Sequence, residues 1–350
     1  MKNRLGDYIQ EISLRNKSDE QIPVYSVTNT HGFCKDYFGK EVASKDKKTY
    51  KIVPKGCFAY NPSRINVGSV DWQRLEERVI VSPLYNVFSV SERIRQQYLY
   101  YYLKSDFVLQ RIRCVATGSV RDNLKIEMLK EFPITIPTLP EQDRIVKILD
   151  DAKRVIDLRK KELDALDKLI KARFIEMFGD PVSNPKGWCR QRLDQICENL
   201  DSCRVPITST SRKKGNYPYY GASGIVDYVD DYIFDEDILL ISEDGANLLM
   251  RSTPIAFSVR GKVWVNNHAH VVRFESKATQ KYIEVCFALT DISASVTGSA
   301  QPKLSQAKLN AMLFCVPPIE LQEQFAYFVE QVDKSKFALC RYNVMEYKCE

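Results

Sequence analysis

Residues 141–178 read EQDRIVKILDDAKRVIDLRKKELDALDKLIKARFIEMF and contain neither proline nor glycine. Apolar residues recur there in steps of three and four, and only Arg159 and Arg173 interrupt the stripe. A heptad-like stripe of this length predicts one helix, roughly 57 Å long at ~1.5 Å per residue, packed against a partner. Pro140 precedes the stretch and Gly179-Asp180-Pro181 ends it. The stripe consists of Ile145, Leu149, Ala152, Ile156, Leu163, Leu166, Ile170 and Met177.

Length and composition place the chain among ordinary proteins of two or three domains. It has 350 residues, of which 44% are hydrophobic and 27% charged. No apolar run approaches the length of a membrane span, and the opening MKNRLGDYIQEISL has no signal-peptide core. The ten cysteines are scattered without a CxxC pair, which favours reduced thiols in a cytoplasmic protein without a membrane partner. The net charge of +6 permits nucleic-acid binding without requiring it.

The chain repeats itself at a constant offset of 180 residues. Residues 117–149 read TGSVRDNLKIEMLKEFPITIPTLPEQDRIVKIL, and residues 297–329 read TGSAQPKLSQAKLNAMLFCVPPIELQEQFAYFV. Leu124 aligns with Leu304 and Gln142 with Gln322. A weaker match joins the segments that open at Arg4 and Arg192, RLGDYIQEIS and RLDQICENLD. The order is therefore globular region, long helix, globular region and second helix.

The second helix begins near Glu320, where Phe325, Val329 and Val332 continue the apolar stripe. Two such helices in a duplicated chain are expected to pack antiparallel. We predict an α+β fold with two similar mixed α/β domains held apart by a pair of long antiparallel coiled-coil helices, related by a pseudo-twofold repeat. The predicted boundaries are 1–140 for the first domain, 141–180 for the first helix, 181–318 for the second domain and 319–350 for the second helix.

Local patterns predict the types of several elements. Apolar, β-branched runs predict strands, and residues 98–114 and 281–289 read as helices. No alternating βαβ pattern with a glycine-rich phosphate loop occurs, so a doubly wound sheet is not expected. The predicted strands are Tyr50–Val53, Val79–Val81, Ile238–Ile241 and Val263–Val265.

Several phrases together resemble the specificity subunits of type I restriction-modification systems. They are the repeated TGS segments, the helix ending KARFIEMFGDPVSNPKGW (171–188), the RLGDYI-like openings, and the phrases NPSRINVG (61–68) and YPYYGASGIVDYV (217–229). The resemblance covers essentially the whole chain.

The resemblance implies two target recognition domains that each read one half of a split double-stranded DNA sequence. It also implies that the helices set the gap and dock two modification subunits, which methylate adenine, and that restriction subunits join the complex. S-adenosylmethionine, ATP and magnesium would then be bound by partner subunits, and this chain would have no catalytic residue. Because the two domains differ outside the repeat, the half-sites should differ and the target should not be palindromic.

The residues themselves provide little evidence of catalysis or of a metal site. Asn61-Pro62-Ser63-Arg64 imitates an adenine methyltransferase motif but lacks its second proline and its aromatic residue. No GxGxxG or P-loop is present. Acidic residues at 235–237 and 243–244 are expected in solvated turns. His268 and His270 could face one way as metal ligands, but no third ligand is evident, so DNA contact or a surface position is favoured.

Base reading requires arginine and amide side chains in loops, whereas lysines suit phosphate contacts. In the first domain, the candidates are Arg64 and Asn66 in a proline-glycine loop, with Arg121 and Lys125 after the TGS motif. An ion pair of Arg64 with an acidic neighbour is an equally good reading. In the second domain, a core position for the tyrosines is as good a reading as DNA contact. The candidates there are Tyr219, Tyr220, Arg251, Lys262, Asn266, Asn267, His268, Gln301 and Lys303.

Two other functions remain open at this point. The chain could belong to a fused methyltransferase-nuclease, although the motifs are missing, or it could be a coiled-coil adaptor that does not bind DNA. The second helix also departs from the family pattern. Shifting the first stripe by 180 residues places Lys336, Asn343, Glu346 and Glu350 where apolar residues stood. We therefore predict a shortened second helix and expect the first helix to need other apolar cover from Leu163 onward.

Overall fold

A computed structural model describes residues 3–35, 47–115, 123–298 and 300–345, with side chains up to residue 339. The chain divides into two compact units, Met1–Asp157 and Leu158–Glu350. The division falls within the long helix, so each unit includes about half of it. In the described ranges, no helix is both long and apolar enough to cross a membrane.

The first unit mixes short strands with four helices among its described residues. Its helices are α1 (Gln96–Lys104), α2 (Asp106–Val115), α3 (Ile126–Lys130) and the first part of α4 (Leu139–Phe178). Its strands are β1 (Asn3–Arg4), β2 (Ile9–Glu11), β3 (Ser26–Thr28), β4 (Gly32–Cys34), β5 (Lys51–Pro54), β6 (Phe58–Tyr60), β7 (Val70–Trp72), β8 (Arg78–Val81), β9 (Asn86–Val90) and β10 (Pro133–Ile134).

The second unit has the same mixture and more extensive strands. Its helices after α4 are α5 (Leu193–Ile196), α6 (Asn247–Met250), α7 (Lys277–Leu289), α8 (Gln306–Asn310) and α9 (Ile319–Met345). Its strands are β11 (Cys189–Arg192), β12 (Glu198–Asn199), β13 (Lys214–Gly221), β14 (Gly224–Val229), β15 (Phe234–Asp235), β16 (Ile238–Ser242), β17 (Ala256–Val259), β18 (Lys262–Val265), β19 (Ala269–Arg273) and β20 (Leu313–Val316).

Each unit contains a four-stranded antiparallel sheet with an equivalent strand order, and the second unit also has a mixed four-stranded sheet, β14-β13-β18-β15. The order is β2-β9-β6-β7 in the first unit and β12-β19-β16-β17 in the second. The apolar run of β16 is buried along its whole length, as expected for a strand covered on both faces. The predicted mixed α/β domains are thus confirmed. All four predicted strands are present, whereas residues 98–114 form α1 and α2, which break at Ser105.

The weak match between the two RL segments has a structural basis. Leu5 donates its backbone N–H to the carbonyl of Phe132 (2.8 Å), and Leu193 donates in the same way to Met312 (2.9 Å). Phe132 and Met312 are 180 residues apart, and both leucine side chains are fully buried. The opening strand pairs antiparallel with the closing strand in each unit, β1 with β10 and β11 with β20. The repeat therefore ties the opening strand of each globular region to its closing strand.

The predicted long helix is confirmed as α4, which begins at Leu139, two residues earlier than expected. The Glu141 carboxylate accepts the backbone N–H of Thr138 (2.8 Å), one half of a capping box. Its hydrogen bonds from Thr138 lower the pKa of Glu141. At the other end, Lys186 donates to the carbonyls of Glu176 and Met177, and the Trp188 indole donates to that of Phe178. The NPKGW segment therefore caps the last turn of the helix.

The second half of α4 packs antiparallel against α9 within the second unit. Phe174 and Phe178 contact Phe325 with ring centroids 5.5 Å apart, and Lys336 lies 2.6 Å from Asp167. Ile170, Val329 and Val332 are buried in the same core, and Leu166 packs against it. The predicted stripe on α9 and the predicted cover for the far half of α4 are therefore both present. Much of that cover comes from the second unit's own core, including Tyr282 on α7.

The apolar stripe on the first half of α4 remains exposed. Ile145, Leu149 and Ile156 are exposed, as are Ile148 and Val155 beside them, and Ala152 also faces solvent. In the register set by Phe178–Phe325 and Lys336–Asp167, the last described residue of α9, Met345, falls beside Leu158. The described part of α9 has 27 residues, against 40 in α4.

Candidate nucleic-acid interface

In both units, the repeated segment lies against the loop that follows the third strand of the sheet. We call residues 61–64 the first strand-end loop and residues 243–246 the second. Leu124 donates its N–H to the carbonyl of Pro62 (3.1 Å), and Leu304 donates to that of Glu243 (2.8 Å). The structure therefore places the segments after both TGS motifs at equivalent positions in the two units, next to loops with different side chains.

The first strand-end loop presents an exposed arginine. Arg64 is exposed, and no described residue accepts a hydrogen bond from its guanidinium or pairs with it. Asn66 is half-buried in the short 3-10 helix that follows, two residues after Arg64. Ser63 donates to Asn123 (2.6 Å), which holds the loop against the segment that leads to exposed Lys125. Arg64 also borders a small cleft of about 120 Å³ with Asn29. Arg121 lies outside the described residues.

The second strand-end loop brings together five of the predicted residues. Asn266, Asn267 and His268 form the turn between β18 and β19, and the carbonyl of His268 accepts the N–H of Glu243 (2.9 Å). The His268 imidazole lies 2.9 Å from Asp244. Lys303 pairs with Glu243 at 3.1 Å, and residues 244 and 303 form a β-bridge. Gln301 and Asn267 are exposed beside this loop.

Three of the predicted residues in the second unit are buried or held by contacts within the protein. Tyr219 is buried, with 1% of its surface exposed, and its hydroxyl accepts the N–H of Ile207 (3.0 Å), so DNA cannot reach it in this conformation. The Arg251 guanidinium donates to the carbonyls of Phe287 and Thr290 and thereby caps α7. Burial lowers the pKa of Arg251. Asn266 is also buried, and its side chain accepts the His268 N–H (2.8 Å).

Tyr220 and Lys262 lie further from the second strand-end loop than the five residues named above. The Tyr220 carbonyl accepts the Asn266 N–H (3.0 Å), but its half-buried ring packs near Phe257. Lys262 begins β18, whereas Asn266 follows that strand, so they lie roughly 13 Å apart at ~3.3 Å per residue. The Lys262 ammonium lies 4.6 Å from the ring centre of Tyr232, and their hydrogen bond raises the pKa of Lys262.

A buried charged cluster beneath the second strand-end loop was not predicted. The His270 imidazole is buried and lies 2.6 Å from Asp201 and 3.7 Å from Glu243, so its predicted surface position is wrong. Arg204 lies 2.6 Å from Glu243 and 3.4 Å from Asp201. The only sequence signal was the HAH pair, because Asp201 and Arg204 lie more than sixty residues before it.

The geometry of this cluster fits an ion-pair network better than a metal site. Asp201, Glu243 and His270 have ligand atoms within 4.8 Å of one another. Two ligands at about 2.0–2.1 Å from a tetrahedral zinc ion would lie roughly 3.3 Å apart. The 2.6 Å between His270 Nδ1 and Asp201 Oδ2 is a hydrogen-bond distance instead. Arg204 and Lys303 also supply positive charge to the two carboxylates.

The first half of α4 is held to the first unit by polar contacts. Gln142 is fully buried; its amide donates to the carbonyls of Arg93 and Pro137 and accepts the Arg95 N–H (2.8 Å). The Arg95 guanidinium makes two hydrogen bonds to Asp143, of 2.9 and 3.0 Å. These contacts use other faces of the helix and leave the apolar stripe of Ile145, Leu149 and Ile156 uncovered.

Comparison with known proteins agrees with this duplicated architecture. The family model described as the type I restriction modification DNA specificity domain matches residues 8–168 and again residues 185–343. A type I restriction enzyme specificity subunit of Haemophilus influenzae is 33% identical over 138 residues, 39% of this chain and 35% of that protein. The MjaIX specificity subunit of Methanocaldococcus jannaschii is 24% identical over 268 residues, 67% of this chain and 61% of that protein. This chain therefore spans less than two thirds of the length of these relatives.

Solved structures share the fold at low sequence identity. The S subunit of a type I restriction-modification system from M. genitalium superposes with a TM-score of 0.54 at 15% identity, over 98% of this chain and 91% of that one. A chain from a structure of type I system assembly and conformational transition gives 0.52, also at 15% identity, over 98% and 92%. Because two copies of the family domain cover most of the sequence, the chain belongs to the type I restriction-modification DNA specificity subunit family.

Proposed function

We propose that this chain is the DNA-recognition subunit of a type I restriction-modification complex, in which each unit reads one half of a bipartite target. The observation that carries the proposal is the equivalent placement of the two strand-end loops, each fixed to the repeated segment by its leucine. Two similar scaffolds that present different loops suit a ligand with two different sites, such as a split, non-palindromic DNA sequence.

The side chains at the two loops support different half-sites. Arg64 is exposed without a partner among the described residues, and a guanidinium can donate two hydrogen bonds to a guanine edge. Beside the second loop, the Asn267 amide is exposed and suits an adenine edge, and Gln301 is exposed there as well. Lys125 and Lys303 are exposed next to the loops and suit phosphate contacts, which position the protein on the duplex.

The helices support the proposed assembly with other subunits. The exposed stripe of Ile145, Leu149 and Ile156 on α4 is apolar and uncovered, as expected for a surface that a partner buries. We propose that the helices dock two modification subunits, which methylate adenine, and that restriction subunits join this core. In this proposal the chain is not itself an enzyme, and S-adenosylmethionine, ATP and magnesium bind to the partner subunits.

Selection of bound duplexes from a random DNA pool tests the proposal directly. The chain is assembled with its modification subunits, and the selected sequences are compared for the wild type, Arg64→Ala, Asn267→Ala and Lys262→Ala. Arg64→Ala should relax one half of a bipartite motif, Asn267→Ala the other half, and Lys262→Ala neither. If wild-type selection yields no enriched motif, or a single uninterrupted one, the proposal is wrong.

A further inference from the structure

The buried network beneath the second strand-end loop has a histidine at its centre. Only 1% of the His270 side chain is exposed, and Asp201, Glu243 and Arg204 around it are also largely buried. Lys303 reaches Glu243 from the solvent side. The network therefore joins four separate segments, which are residues 201–204, the second strand-end loop, β19 and the segment after the second TGS motif.

Both ring nitrogens of His270 face hydrogen-bond acceptors. Nε2 lies 2.8 Å from the carbonyl oxygen of Leu304, which can only accept, so Nε2 carries a proton. Nδ1 lies 2.6 Å from Asp201 Oδ2. Burial raises the pKa of Asp201, but its contacts with His270, the Val271 N–H and Arg204 lower it below the ordinary value overall. With Asp201 ionised, a ring protonated on both nitrogens would satisfy both of these contacts.

The Leu304 peptide is thereby held from both sides. Its N–H donates to the Glu243 carbonyl and its own carbonyl accepts from His270. Thr297 and Lys303 exchange two backbone hydrogen bonds, of 2.8 and 2.7 Å, at the base of the segment between them. Fixing Leu304 therefore fixes the base of the segment that carries Gln301 and Lys303 against the loop that carries Asp244.

We propose that His270, as an imidazolium, is a positioning residue for DNA recognition by the second unit. His270 would hold the segment with Gln301 and Lys303 beside Asn267 and His268, and it would not itself contact DNA. This inference rests on the proposed function. The first unit holds the equivalent leucine without a charge, because the Tyr60 hydroxyl donates to the carbonyl of Leu124 (3.0 Å). The dependence on an ionised ring is thus specific to the second half-site.

The protonation state can be measured without DNA. The sequence has three histidines, His31, His268 and His270, so selective ¹⁵N-histidine labelling gives three side-chain spin systems. His31→Gln and His268→Gln assign them by deletion. We expect His270 to show two protonated nitrogens at pH 7. A spectrum in which His270 has one unprotonated nitrogen would overturn the imidazolium assignment, whatever the chain does with DNA.

The positioning role is tested by half-site protection. Footprints of the complex with its modification subunits on a selected duplex are compared for the wild type, His270→Gln and the control His31→Gln. We expect His270→Gln to weaken protection of the second half-site by on the order of tenfold and to leave the first unchanged, whereas His31→Gln changes neither. Unchanged protection of both half-sites by folded His270→Gln, or an equal loss in both, would overturn the proposal.

Two further controls separate the possible failures. Unfolding of the second unit would show in the fluorescence of Trp188, whose indole is bonded to the end of α4. If His270→Gln does not fold, Asp201→Asn replaces it, because it removes the charge opposite the ring at similar size. A selective loss at the second half-site is again expected, and no loss would contradict the proposal. If the wild type protects no specific DNA, the proposed function itself fails, while the NMR result stands.

Discussion

Replacing Phe174 with alanine should destabilise the second unit more than any exposed substitution on α4. The Phe174 side chain is fully buried, and its ring centroid lies 5.0, 5.1 and 5.5 Å from those of Phe178, Tyr282 and Phe325. Removing a buried phenylalanine ring costs about 3–5 kcal/mol through lost burial and the cavity left behind. The loss should fall on the free energy of unfolding of the second unit, because all three partner rings belong to it.

Urea unfolding followed by Trp188 fluorescence measures this loss. Trp72 and Trp264 are first replaced by phenylalanine, since the sequence has only three tryptophans. With an m-value of about 2 kcal/mol per molar urea, the midpoint should fall by roughly 2 M. The matched control is Leu169→Ala, an exposed position on the same helix in the same unit, which should change stability by no more than about 0.5 kcal/mol. If Phe174→Ala costs no more than Leu169→Ala, the packing of α4 on α9 is wrong.

Three further predictions follow from the site. Arg64→Ala should cost about 1–3 kcal/mol of discrimination at one base position, whereas Lys125→Ala should weaken binding to all sequences and reduce the salt dependence of log K by about one. Competition binding at several salt concentrations measures both effects. Lys262→Ala should change neither the base discrimination nor the salt dependence. Arg251→Ala should destabilise the second unit by about 2–3 kcal/mol in urea unfolding, because two hydrogen bonds from a charged group to carbonyls are lost. The folded variant should still select the same DNA motif, and a changed motif would show that Arg251 reads DNA. The stability of the second unit should fall as the pH drops below about 4.5, because the pKa values of Asp201 and Glu243 are lowered in the folded state. Their contribution to the free energy of unfolding is complete above their ordinary pKa values and is lost as they take up protons. Urea midpoints from pH 6 to pH 3 measure this dependence on pH, which should be shallower in Asp201→Asn; an equal dependence would argue against the network.

The sequence predicted the long helix and the repeat because both depend on local patterns. Stripe residues such as Ile170 and Val329 recur at helical spacing, and this spacing does not depend on which element covers them. The sequence similarity between the segments that open at Arg4-Leu5 and Arg192-Leu193 is weak, but the two leucines make equivalent backbone hydrogen bonds in the two units. What the pattern could not show is that the apolar stripe of α4 is covered over its second half and exposed over its first.

The site was harder to predict because its contacts join distant segments. In YPYYGASG, strand alternation points either Tyr219 or Tyr220 into the core. Because both are tyrosines, the sequence does not show which of them is buried. The structure buries Tyr219. The sequence favours Arg251 as a DNA contact because nothing local shows the carbonyls of Phe287 and Thr290 that it binds. His270 has its carboxylate partner 69 residues earlier in the chain.

The central claim is that one chain reads a split DNA target through two different loops on equivalent scaffolds. It is tested most directly by sequencing N6-methyladenine in a host that carries this chain with its modification subunit, beside hosts with the gene deleted or with Arg64→Ala. We predict a bipartite, non-palindromic methylated motif that disappears on deletion and becomes degenerate in one half only with Arg64→Ala. A methylome that is the same with and without the chain would contradict the account.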